Sequence, residues 1–215
     1  MSTAADEAHL ARSRRVWDRW SNHYTLSERD FAPMRRAAID RLDLDAGDRV
    51  LDVGCGPGVN FRYLRSYVGN AGEIVAVDYS PSMVARARAR ARDHGWTNVT
   101  VIEADVSSID LPGPFDAAVA TLSMSVLPDV DRGARAVYEV LRPGGRFVVF
   151  DVRPVPTGPA RILNPAIRRA LRWYANWNSD DVSAALERTF ETTEHLETYG
   201  LGTAVTVLAT RTSTT

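Results

Sequence analysis

An α/β fold is predicted for this 215-residue chain: a doubly wound, mostly parallel seven-stranded sheet that closes in an antiparallel C-terminal hairpin. Three observations predict it. Five short apolar runs recur between residues 49 and 151, and helical patterns separate them. Two further strand-like runs, joined by glycines, end the chain.

The first elements, residues 8 to 42, read as two helices with a break near Asp30 to Pro33. Strands follow at Arg49–Val53, Glu73–Asp78, Val99–Glu103, Phe115–Ala120 and Arg146–Asp151. Each is short, mostly apolar and bounded by Gly, Pro or Asp, as strands buried on both faces are. Helical patterns lie at Phe61–Val68, Pro81–His94 and Asp131–Leu141. Strand–helix alternation implies right-handed crossovers and a parallel sheet covered on both sides. Pro143-Gly144-Gly145 reads as a turn before the fifth strand. Thr192–Tyr199 and Ala204–Arg211 are the hairpin, with Gly200 and Gly202 supplying its connection.

Composition narrows the function classes. The 26 basic and 27 acidic residues leave a net charge of -1, which argues against a nucleic-acid binder that relies on bulk positive charge. One cysteine, Cys55, excludes a disulfide framework and a multi-cysteine zinc site. Every basic residue is arginine, so lysine chemistry is excluded. No run of apolar residues reaches the ~18 needed to span a bilayer, and the first ten residues lack the apolar stretch of a signal peptide. A cytoplasmic protein with one domain over 1–215 is expected, divided into N-terminal helices (1–42), a binding core (43–151), a helical insert (152–180) and a closing helix and strand pair (181–215).

The most informative stretch is Val50-Leu51-Asp52-Val53-Gly54-Cys55-Gly56-Pro57-Gly58-Val59-Asn60, a strand that runs into a glycine turn and a helix. Glycines let a ligand approach the backbone closely. A dinucleotide site has G-x-G-x-x-G, but here the third glycine comes one residue early and Val59 takes its place. No triphosphate loop motif is present. The second strand ends at Asp78, 20 residues after Gly58, where a carboxylate can accept both hydroxyls of an unphosphorylated ribose. A helix cap at Asp78 is the competing role, and Ser80-Pro81 already supplies that. Asp105, leaving the third strand, could accept an adenine amino group beside the Val106 N–H. Read alone, it is a turn residue.

Leu51 to Asn60, Asp78 to Met83, Glu103-Ala104-Asp105 and Leu141 to Phe147 together resemble, in order, the motifs of class I S-adenosylmethionine-dependent methyltransferases. The likeness covers roughly residues 35 to 151 and is nearest to the UbiE-like branch, which methylates quinones and phospholipid head groups. It implies the Rossmann-like form of the fold and S-adenosyl-L-methionine as cofactor. It also implies that Asp52, Gly54, Cys55 and Gly56 hold the methionine end, and that Asp78 holds the ribose. Tyr79 and Met83 would pack on adenine with Asp105 and Val106 at its edge, and Thr121 would meet the amino-acid part. Tyr24 would cover the cofactor, although Thr25 stands where the family often has an Asp. Cys55 is a loop residue and not a nucleophile.

Outside the motifs, Trp17 and Trp20 are expected in core packing at helical spacing. The arginines at 86, 88, 90 and 92 spread over different helix faces and read as solvated surface. The insert starts a helix at Asn164-Pro165. Ala166, Ile167, Ala170, Leu171, Trp173, Tyr174 and Trp177 fall on one side of it, and Arg168, Arg169 and Arg172 on the other. Such a helix either covers the substrate pocket or lies in a membrane interface through 164–177. Either role implies a greasy wall, hence a hydrophobic or amphiphilic small-molecule or lipid acceptor, with a quinol or a phospholipid head-group amine favoured. His23 and His195 are the candidate bases, but neither has motif support and each reads equally as a surface or packing histidine; no catalytic residue is assigned and no metal is expected. The rival readings are a nicotinamide-dependent oxidoreductase and a non-catalytic module that binds the same cofactor.

Overall fold

The computed structural model describes residues 3–20 (without the Trp20 side chain), 30–111, 113–178 and 181–212. The five core strands appear in chain order as β1 (Arg49–Val53), β2 (Glu73–Asp78), β3 (Val99–Glu103), β4 (Phe115–Thr121) and β5 (Leu141–Val152). The tail forms β6 (Thr192–Tyr199) and β7 (Ala204–Thr210). They join in the order β3-β2-β1-β4-β5-β7-β6. The first five pair in parallel; β7 runs antiparallel to both β5 and β6.

The strand period of two explains how both faces are buried. Leu51, Val53, Val75, Val77, Ala118 and Ala120 face one core, completed by helices α5 (Val130–Val140) and α7 (Val182–Thr189). Val50, Ile74, Ala76, Ala117 and Val119 face the other, under α2 (Ala32–Asp40), α3 (Phe61–Val68) and α4 (Pro81–Asp93). Capping follows local chemistry. Ser80 accepts from the Met83 N–H ahead of Pro81, and Asp129 accepts from the Arg132 N–H at the start of α5.

Several boundaries differ from expectation. The first helix, α1, already begins at Ala4 and runs to Trp20. The fifth strand reaches back to Leu141, because Phe115 pairs with Leu141 and Ala117 with Arg146. The Pro143-Gly144-Gly145 turn is therefore a bulge inside the strand, with Gly144 at φ +82°. The arginine run on α4 is not simply solvated: Arg88 donates through Nη2 to the Val101 carbonyl of edge strand β3 at 2.9 Å.

The insert contains a 3-10 turn (Pro159–Leu163) and α6 (Asn164–Ala175). The Asn164 side chain pins the start of α6, accepting from the Val155 N–H and donating to the Val155 carbonyl.

Candidate active site

The carboxyl ends of β1, β2 and β3 open onto one pocket, about 710 Å3 of space that includes the open solvent at its mouth. Its floor begins with the glycine turn. A Cβ at Gly54 would lie 2.4 Å from the Ser123 Cβ, and Gly54 sits at φ +62°, so only glycine fits between the ends of β1 and β4. Ser123 Oγ in turn donates to the Val53 carbonyl at 2.7 Å.

Asp78 closes β2 and lines the pocket. Its Oδ2 accepts the Gly56 N–H at 2.7 Å and its Oδ1 the Ser80 N–H at 2.9 Å. Both oxygens thus receive backbone N–H donors and retain acceptor capacity. Burial pushes this carboxyl up to about 6, with the N–H donors of Ser80, Gly56 and Tyr79 opposing the shift. Tyr79, Met83, Asp105 and Val106 also line the pocket. Asp105 serves its own turn as well, accepting from the Ser107 N–H at 3.0 Å. Ser107 Oγ lies 2.8 Å from both Asp105 oxygens, but its single proton can serve only one of them.

The other expected residues lie elsewhere. Asp52, Cys55 and Thr121 do not line the pocket; they are buried beneath the glycine turn. Asp52 and Thr121 meet Arg35 of α2 and Asn60 before α3. Asn60 Nδ2 donates to Asp52 Oδ1 at 2.9 Å and to Thr121 Oγ1 at 3.1 Å, and the Arg35 guanidinium donates to Thr121 Oγ1. Burial raises Asp52 to about 7, against the Asn60 hydrogen bond and the Arg35 charge. The Cys55 thiol is raised well above its ordinary value by burial and the neighbouring carboxylates, the opposite of an activated nucleophile. Tyr24 and His23 lie outside the described residues. His195 sits on β6, paired with Glu187 at 3.2 Å and away from the pocket.

The roof is α1. Leu10, Ser13, Arg14 and Trp17 line the pocket at i, i+3, i+4 and i+7, one helical stripe. Trp17 is therefore a pocket wall and not a core side chain. Arg14 stacks over the Tyr79 ring, 4.7 Å from its centroid, and pairs with Glu103 at 3.6 Å. Helical spacing places Trp17 on a packed face, but spacing alone does not say which surface that face meets.

Side chains from α4, α5 and the end of α6 help to hold this roof. Asp18 accepts from the hydroxyls of Ser80 and Ser82 at 3.0 and 2.6 Å. Arg132 of α5 reaches Asp6 at 3.2 Å. Asn176, in the left-handed conformation at the end of α6, donates to Ser13 Oγ at 2.7 Å and lies 3.2 Å from the His9 carbonyl. Asn178, two residues on, donates to the Leu127 and Pro128 carbonyls, which stand at the pocket mouth. No residue of α6 lines the pocket, so the expected greasy wall comes instead from Leu10, Leu122, Val126, Leu127 and Pro128.

Comparison with known proteins adds the following. A family model described as a methyltransferase domain matches residues 50–145. The aklanonic acid methyltransferase DauC of Streptomyces sp. (strain C5) is 31% identical over 173 residues, covering 77% of this chain and 78% of the relative. A demethylmenaquinone methyltransferase of Thermus thermophilus is 35% identical over 125 residues, and there the match spans 58% of this chain and only 56% of the relative. A solved methyltransferase from Aquifex aeolicus, described as SAM-dependent, superposes with a TM-score of 0.62 at 22% identity, over 82% of this chain and 89% of that one.

Proposed function

The chain belongs to the class I S-adenosylmethionine-dependent methyltransferases, in the UbiE-like branch, and from that premise we propose that it methylates a hydrophobic, ring-bearing small molecule of the quinol kind. The observation that carries this reading is the apolar mouth formed by Leu10, Val126, Leu127 and Pro128, opening beside the pocket that holds Asp78. The relatives named for aklanonic acid and demethylmenaquinone favour such an acceptor over a phospholipid head-group amine.

The bound cofactor supplies a methyl carbon already made electrophilic by its sulfonium. The chain's own residues then need to bind, orient and exclude water. Asp78 would accept the two ribose hydroxyls with its remaining lone pairs. Tyr79, Met83 and Val106 would enclose the base, and the Asp105 oxygen that Ser107 does not hold would accept its amino group. Gly54 and Gly56 would let the methionine end lie on the backbone, above the Arg35–Asp52–Asn60–Thr121 network that stiffens the turn from beneath. Arg14 and Trp17 would close the site from water. No described pocket side chain is assigned as a base: the two pocket carboxylates already accept hydrogen bonds from their own turns.

The test is transfer of an isotope-labelled methyl group from S-adenosylmethionine to a panel of a demethylated quinol, an aromatic polyketide acid and phosphatidylethanolamine. Label in a ring-bearing acceptor is expected; label in phosphatidylethanolamine alone rejects the proposal. Cofactor binding in calorimetry without transfer to any of them would favour the non-catalytic module.

A further inference from the structure

We propose that the outer face of the insert, the 159–163 turn with α6, docks on an anionic lipid bilayer. This surface does not line the pocket, and its role stands apart from the choice of acceptor.

A twelve-residue helix in a folded chain ordinarily buries one stripe, yet α6 has no buried residue. Its inner flank, Ile167, Leu171 and Ala175, is half-buried. At 100° per residue, a second apolar strip of Ala166, Ala170 and Trp173 projects beside it. Trp173 is 76% exposed, and just before the helix Ile162 is 83% and Leu163 55% exposed. The remaining flank carries Arg168, Arg169 and Arg172, all exposed. No ion pair engages these three among the described residues.

Charge identifies the occupant. The chain as a whole is nearly neutral, but residues 152–178 hold five arginines and no acidic residue. A second copy of the chain would have to set these arginines against one another across a two-fold contact, with no carboxylate in the strip to meet them. A bilayer of anionic head groups meets both needs, because the apolar strip enters the acyl boundary while the arginines stay with the phosphates. No helix among the described residues is long and apolar enough to cross a membrane, so α6 would lie on the surface. Leu201, 80% exposed at the β6–β7 turn, offers a second contact, since that turn packs by Gly202 against Pro156 of the same insert.

The experiment is flotation of the full chain with vesicles of phosphatidylcholine alone and of phosphatidylcholine mixed with phosphatidylglycerol. The protein should float only with the anionic vesicles and be released by salt. Joint Trp173→Ala and Ile162→Ala replacement should lower partitioning roughly tenfold. Replacing Arg168, Arg169 and Arg172 by Ala should lower it on the order of 100-fold. Both variants should bind the demethylated cofactor as the wild type does, which shows that they are folded. Three results would overturn the proposal: no flotation of the wild type, equal flotation on neutral vesicles, or variants that float unchanged. So would a dimer in sedimentation that Trp173→Ala dissolves, because the face would then belong to a second copy.

Discussion

The floor of the pocket and its roof are held by different means. The floor sits on strand ends whose backbones are paired on both sides, β1 lying between β2 and β4. The roof, α1, is held by side-chain hydrogen bonds from α4, α5 and the end of α6. Sheet pairing is lost only when the domain unfolds, whereas side-chain clasps open locally and at lower cost. A ligand enclosed by both therefore meets a fixed surface below and a releasable one above.

The largest expected effect tests the fixed surface. Gly54→Ala introduces a Cβ 2.4 Å from that of Ser123, at a backbone φ of +62°. The left-handed conformation alone costs about 1–2 kcal/mol, and the overlap must displace either the turn or Ser123. A fall in cofactor affinity on the order of 100-fold, with a lowered melting temperature, is expected in calorimetry and thermal unfolding. An unchanged variant would show that the floor yields as easily as the roof.

Asp78→Ala comes next. It deletes a charged acceptor of the ribose hydroxyls and should weaken cofactor binding by about 1–3 kcal/mol in all. The raised carboxyl gives a finer test. Below about 6 the side chain carries a proton in the free protein, so it accepts ribose hydroxyls less well. Affinity should rise as pH rises through about 6 and level off above it, and Asp78→Asn should flatten that rise. A wild-type profile without a step there would remove Asp78 from the ribose role.

The same division governs what was readable from the chain. Asp78 could be found because a strand ending in an acid, in register with a glycine turn, is a local pattern. Tyr79, Met83 and Val106 follow from it along the next turns. Asp52 lay within the same motif but points with Val50 toward α2 and α3, into a network completed by Arg35 and Asn60. Its burial depends on a helix well before it in sequence and a strand well after. Trp17 shows the limit of periodicity, which groups Leu10, Ser13, Arg14 and Trp17 on one stripe but leaves its partner open. Asn176 and Asn178 carry no pattern at all. Their partners lie in α1 and in the loop after β4, and only the folded chain brings them together.

Beneath the floor, Asp52→Asn sharpens the contrast through pH. The folded carboxyl lies at about 7, above its unfolded value of about 4. The folded state thus retains a proton that the unfolded state gives up, and stability is lost as pH rises across that window. Asparagine keeps the acceptor for Asn60 and has no charge to bury. At pH 8 it should stabilise the protein by about 1–2 kcal/mol, and near pH 4 by almost nothing. Asp151, also raised by burial, leaves a residual slope of the same sign. Thermal unfolding at both pH values measures this, and equal shifts at the two would contradict a charge effect.

The smallest effect belongs to the roof. Asn176→Gly keeps the left-handed backbone at φ 53°, which glycine adopts freely, and removes only the side chain. Its amide has two protons, so at most two of its three neighbours, Ser13 Oγ, the His9 carbonyl and the His9 ring, are donated to at once. The loss should be about 0.5–1.5 kcal/mol, felt mainly as easier opening of α1. Amide hydrogen exchange in residues 4–20 should quicken about fivefold, with β1 and β2 unchanged, and the bound cofactor should leave faster. Exchange that rose equally in the strands would mean that roof and floor open as one unit, because the clasp would then be part of the global fold.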